Sequence, residues 1–514
     1  SPRRTSMKLR SLLPDRSDVI QGSADLEIAA IAYDSRRVER GTLFVARPGF
    51  ETDGHRFIPQ ALEASATALL VQQDHRNVWE PLVAGSNVAV AVIDDTRRAL
   101  ADVAAAFYDY PARALRVVGV TGTKGKTTTS YLAAALLEAS GHRTGLVSGV
   151  EIKIGERMIG NDSEMTTPEA LEVQSYLAQM RDEGAQYAVV ESTSHGLALH
   201  RLEHLEYDVA AFTNLYPDHL DFHPDVEDYT AAKGRLFEML DESLDKGIEK
   251  TAVLNADDAT SERMRARTKR ARALTYGIEA PDADVRAADV AMSERGTRFQ
   301  LVTPVGACDV QMPLLGLFSV SNALAAATIA LSQGATPAAI AAGLAAFRGV
   351  PGRMERIDCG QPFAVVVDFA HTGDALRSVL QALRGAARGR LIAVFGAGGD
   401  RDPGRRTGMG RAAAELADFA VLTNDNPRTE DPSAIIDTIA AAMIEGGRRE
   451  GDDFVRIPDR REALRYAFTH AREGDVVLVA GKGHEPYTII GHEHLPWDDR
   501  EVAREELRAL AAKA

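Results

Sequence analysis

The run Thr121-Gly122-Thr123-Lys124-Gly125-Lys126-Thr127-Thr128 has the residue types needed to hold a chain of phosphates. Glycines let backbone N–H groups approach phosphate oxygens, a lysine neutralises charge, and a threonine hydroxyl reaches a bound Mg²⁺. A nucleotide is therefore the expected ligand. A strict P-loop would carry glycine where Val120 stands, so this is a variant loop. A tight turn that binds nothing is the competing reading of Gly122 and Gly125, and Gly-Lys-Thr at a strand-to-helix junction disfavours it.

Two later segments add oxygen and nitrogen donors. Glu191 ends the apolar run Tyr187 to Val190, and a carboxylate there suits Mg²⁺, a hard cation that takes oxygen ligands. The competing reading of Glu191-Ser192-Thr193-Ser194 is a helix N-cap cluster. The stretch Asp218-His219-Leu220-Asp221-Phe222-His223 is dense in ligand types but matches no zinc spacing. His219 is its candidate ligand, since neutral imidazole binds metals well. From spacing alone, Lys233 in Ala231-Ala232-Lys233-Gly234 reads as a solvated helix lysine.

The last third repeats one pattern, an apolar strand followed by a polar loop and a helix. Strands at 363–367, 391–395, 419–422 and 476–479 lead to loops holding His371, Arg401, Asp425-Asn426-Pro427-Arg428 and Gly481-Lys482-Gly483-His484-Glu485. Ligands of open parallel sheets bind beyond the carboxyl ends of the strands, so a second site is expected there. Asp425 suits an ammonium and Arg428 a carboxylate, a pairing of signs repeated by Arg401 and Glu485. Salt bridges among these four charges are the alternative. His371 and His484 are candidates for relaying a proton.

Positioning these groups requires several cores, since 514 residues exceed what one normally serves. Strands are predicted at 28–33, 42–46, 68–71, 87–93, 116–120, 209–213 and 252–254, with helices at 96–108 and 322–333. A subsidiary sheet is predicted from 297–302 and 307–312, and Pro111 and Pro351-Gly352-Arg353 mark the breaks. A net charge of −15 disfavours nucleic acid and anionic membranes as partners. Two cysteines, Cys308 and Cys359, exclude a disulfide scaffold. The basic start Ser1-Pro2-Arg3-Arg4-Thr5 lacks the apolar core of a secretory signal, and Met7 is a possible natural start. A cytoplasmic monomer is the expectation.

Taken together these motifs resemble the Mur ligase family over essentially the whole chain. The resemblance rests on Asp34-Ser35-Arg36, Gly122 to Thr128, Thr166-Thr167-Pro168-Glu169-Ala170, Ser194-His195-Gly196-Leu197, Asp218 to Asp221, Pro351-Gly352-Arg353-Met354-Glu355 and Gly481 to Glu485, in that order. It implies an α/β architecture of three domains. These are a UDP-substrate domain at 1–113, a central P-loop-type ATPase domain at 114–350 and a carboxyl-terminal Rossmann-like domain at 351–514.

By the same resemblance, Gly122 to Thr128, Asn322, Arg353 and Asp368 would bind ATP. Thr127, Glu191 and His219 would hold Mg²⁺, joined by Lys233 once carbamylated, and Lys126, Glu191, His219 and Lys233 would be catalytic. Ser35, Thr166, Thr167, Thr193 and Arg201 would contact UDP-N-acetylmuramoyl-L-alanyl-D-glutamate. Arg401, Asp425, Asn426, Pro427, Arg428, Gly481 and Glu485 would receive meso-2,6-diaminopimelate, because Asp-Asn-Pro-Arg is similar to the signature of members that add it. The same ligation with L-lysine or L-ornithine, a folylpolyglutamate-type reaction, and a nucleotide-binding protein without turnover are the rivals. The chain departs from the family pattern at Lys124, Thr193, Leu199, Phe369 and Gly373.

Overall fold

The computed structural model describes residues 6–49, 52–161, 163, 165–219, 222–293, 296–385 and 387–512. The basic start 1–5 and two positions of the Asp-His motif, Leu220 and Asp221, lie outside them. Internal contacts divide the chain into two compact units, one running to Val285 with Ala325–Thr336, the other comprising Arg286–Leu324 and everything from Pro337.

In the first unit, Arg116–Thr121 sits between the parallel strands Tyr187–Glu191 and Tyr207–Phe212. Thr144–Val147 extends the sheet on one side, Thr251–Asn255 and Arg272–Gly277 on the other. A parallel sheet covered on both faces needs near-continuous apolar strands, and Val117, Val118, Val120, Val189, Val190, Ala210 and Ala211 are fully buried. The same unit holds a smaller sheet in the order Asp18–Gln21, Ala89–Ile93, Ala68–Gln72, Thr42–Val45, Ala30–Ala32, parallel except for its first strand.

The strand predicted at 28–33 is in fact two. Glu27–Ile28 pairs antiparallel with Met7–Lys8, whereas Ala30–Ala32 runs parallel to Thr42–Phe44. The chain changes partner at Ala29 and Ala30, whose N–H groups both donate to Gly41 O. The helix Thr96–Phe107 is capped by Asp95, which accepts from Arg97 N and Arg98 N. It stops ahead of Tyr110, which is left-handed at φ 42° before Pro111.

Where a subsidiary sheet is predicted, Gly296–Thr303 pairs antiparallel with Gly306–Met312, and Val285–Ser293 pairs antiparallel with Gly296–Thr303; these strands do not form a sheet of their own. The helix predicted at 322–333 starts at Leu317. A six-stranded sheet follows in the order Glu355–Ile357, Ala364–Asp368, Val476–Ala480, Leu391–Phe395, Phe419–Leu422, Phe454–Arg456. All neighbours are parallel except the first pair. Its strands alternate between two cores. Val366, Leu478 and Ala480 pack with Leu380, Met409 and Ile439 on one face, and Val365, Val367 and Val477 with Leu464, Phe468 and Val502 on the other.

One buried ion pair holds the loop ends of this sheet. Arg460 donates to both oxygens of Asp499 at 2.7 and 2.6 Å and to the carbonyls of Asn424 and Ala480 at 3.0 Å each. Burial pushes the Asp499 carboxyl upward, but the Arg460 charge and hydrogen bonds, with the Trp497 indole, outweigh it and leave the group below its ordinary range. Asp499→Ala strands a buried guanidinium and should cost ~3–5 kcal/mol in urea unfolding followed by circular dichroism. Because the folded carboxyl is depressed, its contribution is present above the unfolded-state carboxylate range. It is lost as pH falls through the folded value, so the gap between the two proteins should narrow in acid.

Candidate active site

The phosphate loop joins Arg116–Thr121 to the helix Lys126–Ala139, whose first N–H groups open toward the loop. Gly122 has φ 146° and Gly125 φ 83°. A Cβ on Gly122 would lie 1.9 Å from Thr213 Oγ1, so only glycine fits there. Neighbouring strand ends fasten the loop. Asn214 Oδ1 accepts from Lys124 N at 2.8 Å, and Thr213 Oγ1 and Asn214 Nδ2 donate to Lys124 O at 2.7 and 3.0 Å. This positioning role of Thr213 and Asn214 has no local sequence signal. The loop's own Thr123 hydroxyl meets the Tyr229 hydroxyl at 3.1 Å, and the Lys124 ammonium lies 5.7 Å from the Tyr216 ring centroid.

Thr127 Oγ1 donates to both Glu191 oxygens at 3.0 Å, and Gly149 N donates to Glu191 Oε2 at 3.1 Å. A hydroxyl of the loop helix and the carboxylate at the neighbouring strand end are therefore paired. The capping alternative belongs instead to Thr193, which accepts from Gly196 N at the start of Ser194–Ala198.

Lys233 contradicts its reading as a solvated lysine. Its side chain is 1% exposed, its Nζ donates to Gly122 O at 2.7 Å, and it lies 4.2 Å from the Tyr229 ring centroid. Lys126 Nζ donates to the same carbonyl at 3.1 Å and to Thr123 O at 2.9 Å. Burial, then the neighbouring charge of Lys126, hold the Lys233 amine well below its ordinary range. His219 sits farther out. It is left-handed at φ 55°, its side chain is 47% exposed, and its ring is 4.9 Å from that of His195 and 6.2 Å from that of Tyr229.

A wall of hydroxyls and arginine continues from Glu191. Thr167 Oγ1 donates to Glu191 O at 2.8 Å and lies 2.9 Å from Thr193 Oγ1. Arg201 Nη1 donates to Thr167 O at 3.1 Å, and its Nη2 is 3.0 Å from Glu169 Oε1. Thr166 is exposed beside this wall, and Leu199 is half-buried at the end of the Ser194–Ala198 helix. Ser35 begins a single helical turn capped by Asp34, just after Tyr33, whose hydroxyl donates to Glu172.

The remaining predicted residues lie in the second unit. Asn322 is buried on the helix Leu317–Ser332. Asp368 ends its strand and accepts from Met354 N and Ala370 N at 2.8 Å each, and Arg353 covers the Phe369 ring at 4.4 Å. Burial raises the Asp368 carboxyl, with the Arg353 charge opposing. Burial, aided by Arg353, pushes His484 down to about 3, too low for a proton acceptor near neutral pH. His371 is also lowered by burial, and its Nδ1 meets Phe369 O at 2.9 Å.

The Asp-Asn-Pro-Arg loop meets the Gly481 to Glu485 loop around Lys482, a residue to which its neighbours in the chain assign no task. Lys482 is fully buried, donates to Asn426 Oδ1 at 2.7 Å, and lies 3.6 Å from both Asp425 and Glu485. Asn426 Nδ2 donates to Glu485 Oε2 at 2.9 Å. A Cβ on Gly481 would lie 2.3 Å from Asp425 Oδ2, which explains glycine there. Burial and Asp425 raise the Glu485 carboxyl, with Lys482 opposing.

Arg428 takes a left-handed backbone, φ 51°, and donates from Nη1 to Gly399 O at 2.9 Å. Pro427 packs its carbonyl against Gly399, and Arg401 is exposed beside Gly398. Among the described residues, neither Arg401 nor Arg428 has a carboxylate within ion-pair distance. The alternative of salt bridges among the four charges is thus not met among the described residues: Lys482 serves both acids, Arg428 is half-buried and Arg401 exposed. Among the described residues, no helix is long and apolar enough to cross a membrane.

Three family models match the chain: "Mur ligase family, catalytic domain" over 27–108, "Mur ligase middle domain" over 120–330, and "Mur ligase, glutamate ligase domain" over 352–483. A UDP-N-acetylmuramyl-tripeptide synthetase of Roseiflexus sp. is 47% identical over 94% of this chain and 95% of its own length. A UDP-N-acetylmuramoyl-L-alanyl-D-glutamate–2,6-diaminopimelate ligase of Syntrophomonas wolfei is 44% identical over 98% and 99%. A solved structure of a ligase with the same name as the latter aligns with TM-score 0.69 at 33% identity, covering 99% of this chain and all of that one. A folylpolyglutamate synthase of Mycobacterium tuberculosis, complexed with ADP and AMPPCP, aligns with TM-score 0.61 at 20% identity over 80% and 95%.

Proposed function

Because the chain belongs to the Mur ligase family, we propose that it joins meso-2,6-diaminopimelate to UDP-N-acetylmuramoyl-L-alanyl-D-glutamate at the expense of ATP, in peptidoglycan synthesis. We place the reaction in the cytoplasm and assign residues 1–113 to the UDP-substrate, 114–350 to ATP and 351–514 to the amino acid. The observation that carries the acceptor assignment is the pair of guanidiniums without a carboxylate partner among the described residues, Arg401 and Arg428, beside one another at Gly398, in the loops that also hold the acids Asp425 and Glu485. Two carboxylates and two ammonium groups on one small molecule complement that set better than the single carboxylate of lysine or ornithine. The likeness to folylpolyglutamate synthase, at 20% identity, carries fold alone.

In this reading the terminal carboxylate of the D-glutamate residue attacks the γ-phosphorus of ATP. The P–O bond to ADP breaks and an acyl phosphate forms. Two anions must meet, so the phosphate-loop N–H groups and the Lys126 ammonium offset their repulsion. The hydroxyl of Thr127 and the carboxylate of Glu191 form an oxygen donor set that fits Mg²⁺, and carbamylated Lys233 and His219 would be its further ligands. Mg²⁺ held there would neutralise charge on the transferring phosphoryl group. The free amine of diaminopimelate then attacks the acyl carbon, loses a proton, and expels inorganic phosphate. Thr166, Thr167, Thr193, Arg201 and Ser35 hold the nucleotide-sugar peptide. Asn322, Arg353 and Asp368 hold ATP.

Arg428→Ala should raise the KM for diaminopimelate roughly 10–100-fold, the worth of a charged hydrogen-bonded contact. The KM for ATP should stay within about twofold, read by phosphate release. Unchanged diaminopimelate kinetics would reject the clamp, and equal turnover on lysine would reject the acceptor.

A further inference from the structure

Lys482 stands where the amino-acid loops meet, and the reaction as described gives it no part. Gly481 at φ 117° and Gly483 at φ 56° flank it. A Cβ on Gly483 would lie 2.6 Å from Gly352 O and 2.7 Å from Phe369 Cβ, and one on Gly481 2.3 Å from Asp425 Oδ2. The turn that drives the lysine inward therefore needs glycine on both sides. Among the described residues its fully buried ammonium has one hydrogen bond, to Asn426 Oδ1, and two carboxylates farther off at 3.6 Å, Asp425 and Glu485. Burying an ammonium is unfavourable, and an apolar side chain of similar volume would pack there without that penalty. Stability is a poor reason for a lysine at this position.

The two acids supply a better one. Burial and then the Asp425 charge push the Glu485 carboxyl upward, and Lys482, Asn426 and Arg428 oppose them. The other charged and titratable groups facing this pair are already engaged. Arg460 directs its donors to Asp499 and to the carbonyls of Asn424 and Ala480, Arg428 donates to Gly399 O, and His371, which faces Asp425, is lowered by burial. Among the described residues, Lys482 is thus the one cation within ion-pair distance of either acid.

Asn426 carries the arrangement onward. Its Oδ1 accepts from Lys482 Nζ and from Ile489 N, at 2.7 and 3.0 Å, which turns its Nδ2 toward Glu485 Oε2. Glu485 therefore has a fixed donor. Asp425 is only 6% exposed, and no donor among the described residues reaches its carboxylate within hydrogen-bond distance. A carboxylate so placed keeps its lone pairs for the ammonium of a ligand. Resting on the function proposed above, we infer that Lys482 is a positioning residue of the amino-acid site, whose charge balances Asp425 against Glu485 and leaves Asp425 open to the ammonium of the amino acid. Without that charge, two carboxylates in one buried space share a proton, which the incoming ammonium must displace.

The test is steady-state kinetics of the full-length protein from about pH 6 to about pH 8.5, with ATP, Mg²⁺ and the UDP-muramoyl dipeptide saturating. Near pH 7, Lys482→Met should raise the KM for diaminopimelate about tenfold or more and lower kcat by less, with the KM for ATP within about twofold. The shared proton raises a carboxyl of the variant, so its binding form appears only as pH climbs through the raised value. The ratio of the variant's KM to that of the unaltered protein should therefore shrink about fivefold or more across the range. Lys482→Gln, which keeps a donor for Asn426 without the charge, should behave alike, and it decides the matter if the methionine variant fails to fold. Adding Glu485→Gln to Lys482→Met removes the acid that shares the proton and should flatten the pH dependence. An unchanged KM in the folded variants, a ratio that does not move with pH, or an equal rise in the KM for ATP would each overturn the inference. Turnover of the unaltered protein on L-lysine but not diaminopimelate would overturn the acceptor assignment alone, and the same ratio read with L-lysine then decides the role of Lys482. No amide with any amine would overturn both.

Discussion

Lys126→Ala is expected to lower turnover by about 10³-fold or more, with the protein still folded and its diaminopimelate binding intact. The lysine stands at the first position of the helix after Gly125, and its Nζ folds back onto the carbonyls of Gly122 and Thr123. It is thus held within the loop it serves. Its charge matters most when the acyl carboxylate approaches the γ-phosphate, so the loss should fall on kcat rather than on the KM of the amino acid. Substrate-dependent ADP release in a coupled assay reads it. A variant within about tenfold of the unaltered enzyme would remove Lys126 from the chemistry.

Lys233→Ala is expected to cost on the order of 10²–10³-fold in turnover. The side chain is buried against Gly122 and Tyr229, where an ammonium is poorly solvated and repelled by Lys126. Burial and the Lys126 charge both favour the neutral, nucleophilic amine over the ammonium. Addition of carbon dioxide to that amine would form an N–C bond, release a proton and replace a cation by a carboxylate-like group able to take a metal. Activity should therefore fall after exhaustive removal of carbon dioxide and return with bicarbonate. Labelled bicarbonate should give a carbamate carbon signal that Lys233→Ala lacks. Full activity without carbon dioxide and no such signal would reduce Lys233 to packing.

Much of this site is legible in the amino-acid sequence, because its logic is local. Gly122 and Gly125, the lysine after them and the apolar strand ahead lie within a few residues, and each is required by the turn itself. The alternating strands of the second unit are equally plain, since a sheet covered on both faces leaves long apolar runs. What stays hidden depends on distant segments. Nothing around Lys233 in its helix signals that Gly122 supplies its acceptor, and nothing in Gly481-Lys482-Gly483 signals that Asp425 and Glu485 close on the lysine. The split of the strand predicted at 28–33 is of the same kind, since a change of pairing partner leaves the hydrophobic pattern unbroken.

The central claim is that ATP cleavage is tied to amide formation between the muramoyl dipeptide and diaminopimelate. It is tested most directly by supplying the purified protein with ATP, Mg²⁺ and the UDP-muramoyl dipeptide, adding meso-diaminopimelate, L-lysine or L-ornithine in turn, and following ADP together with the mass of the nucleotide product. The account predicts one ADP for each new amide with diaminopimelate and little with the other two. ADP that stays at background with all three amines, or an equal yield of the lysine adduct, would contradict it.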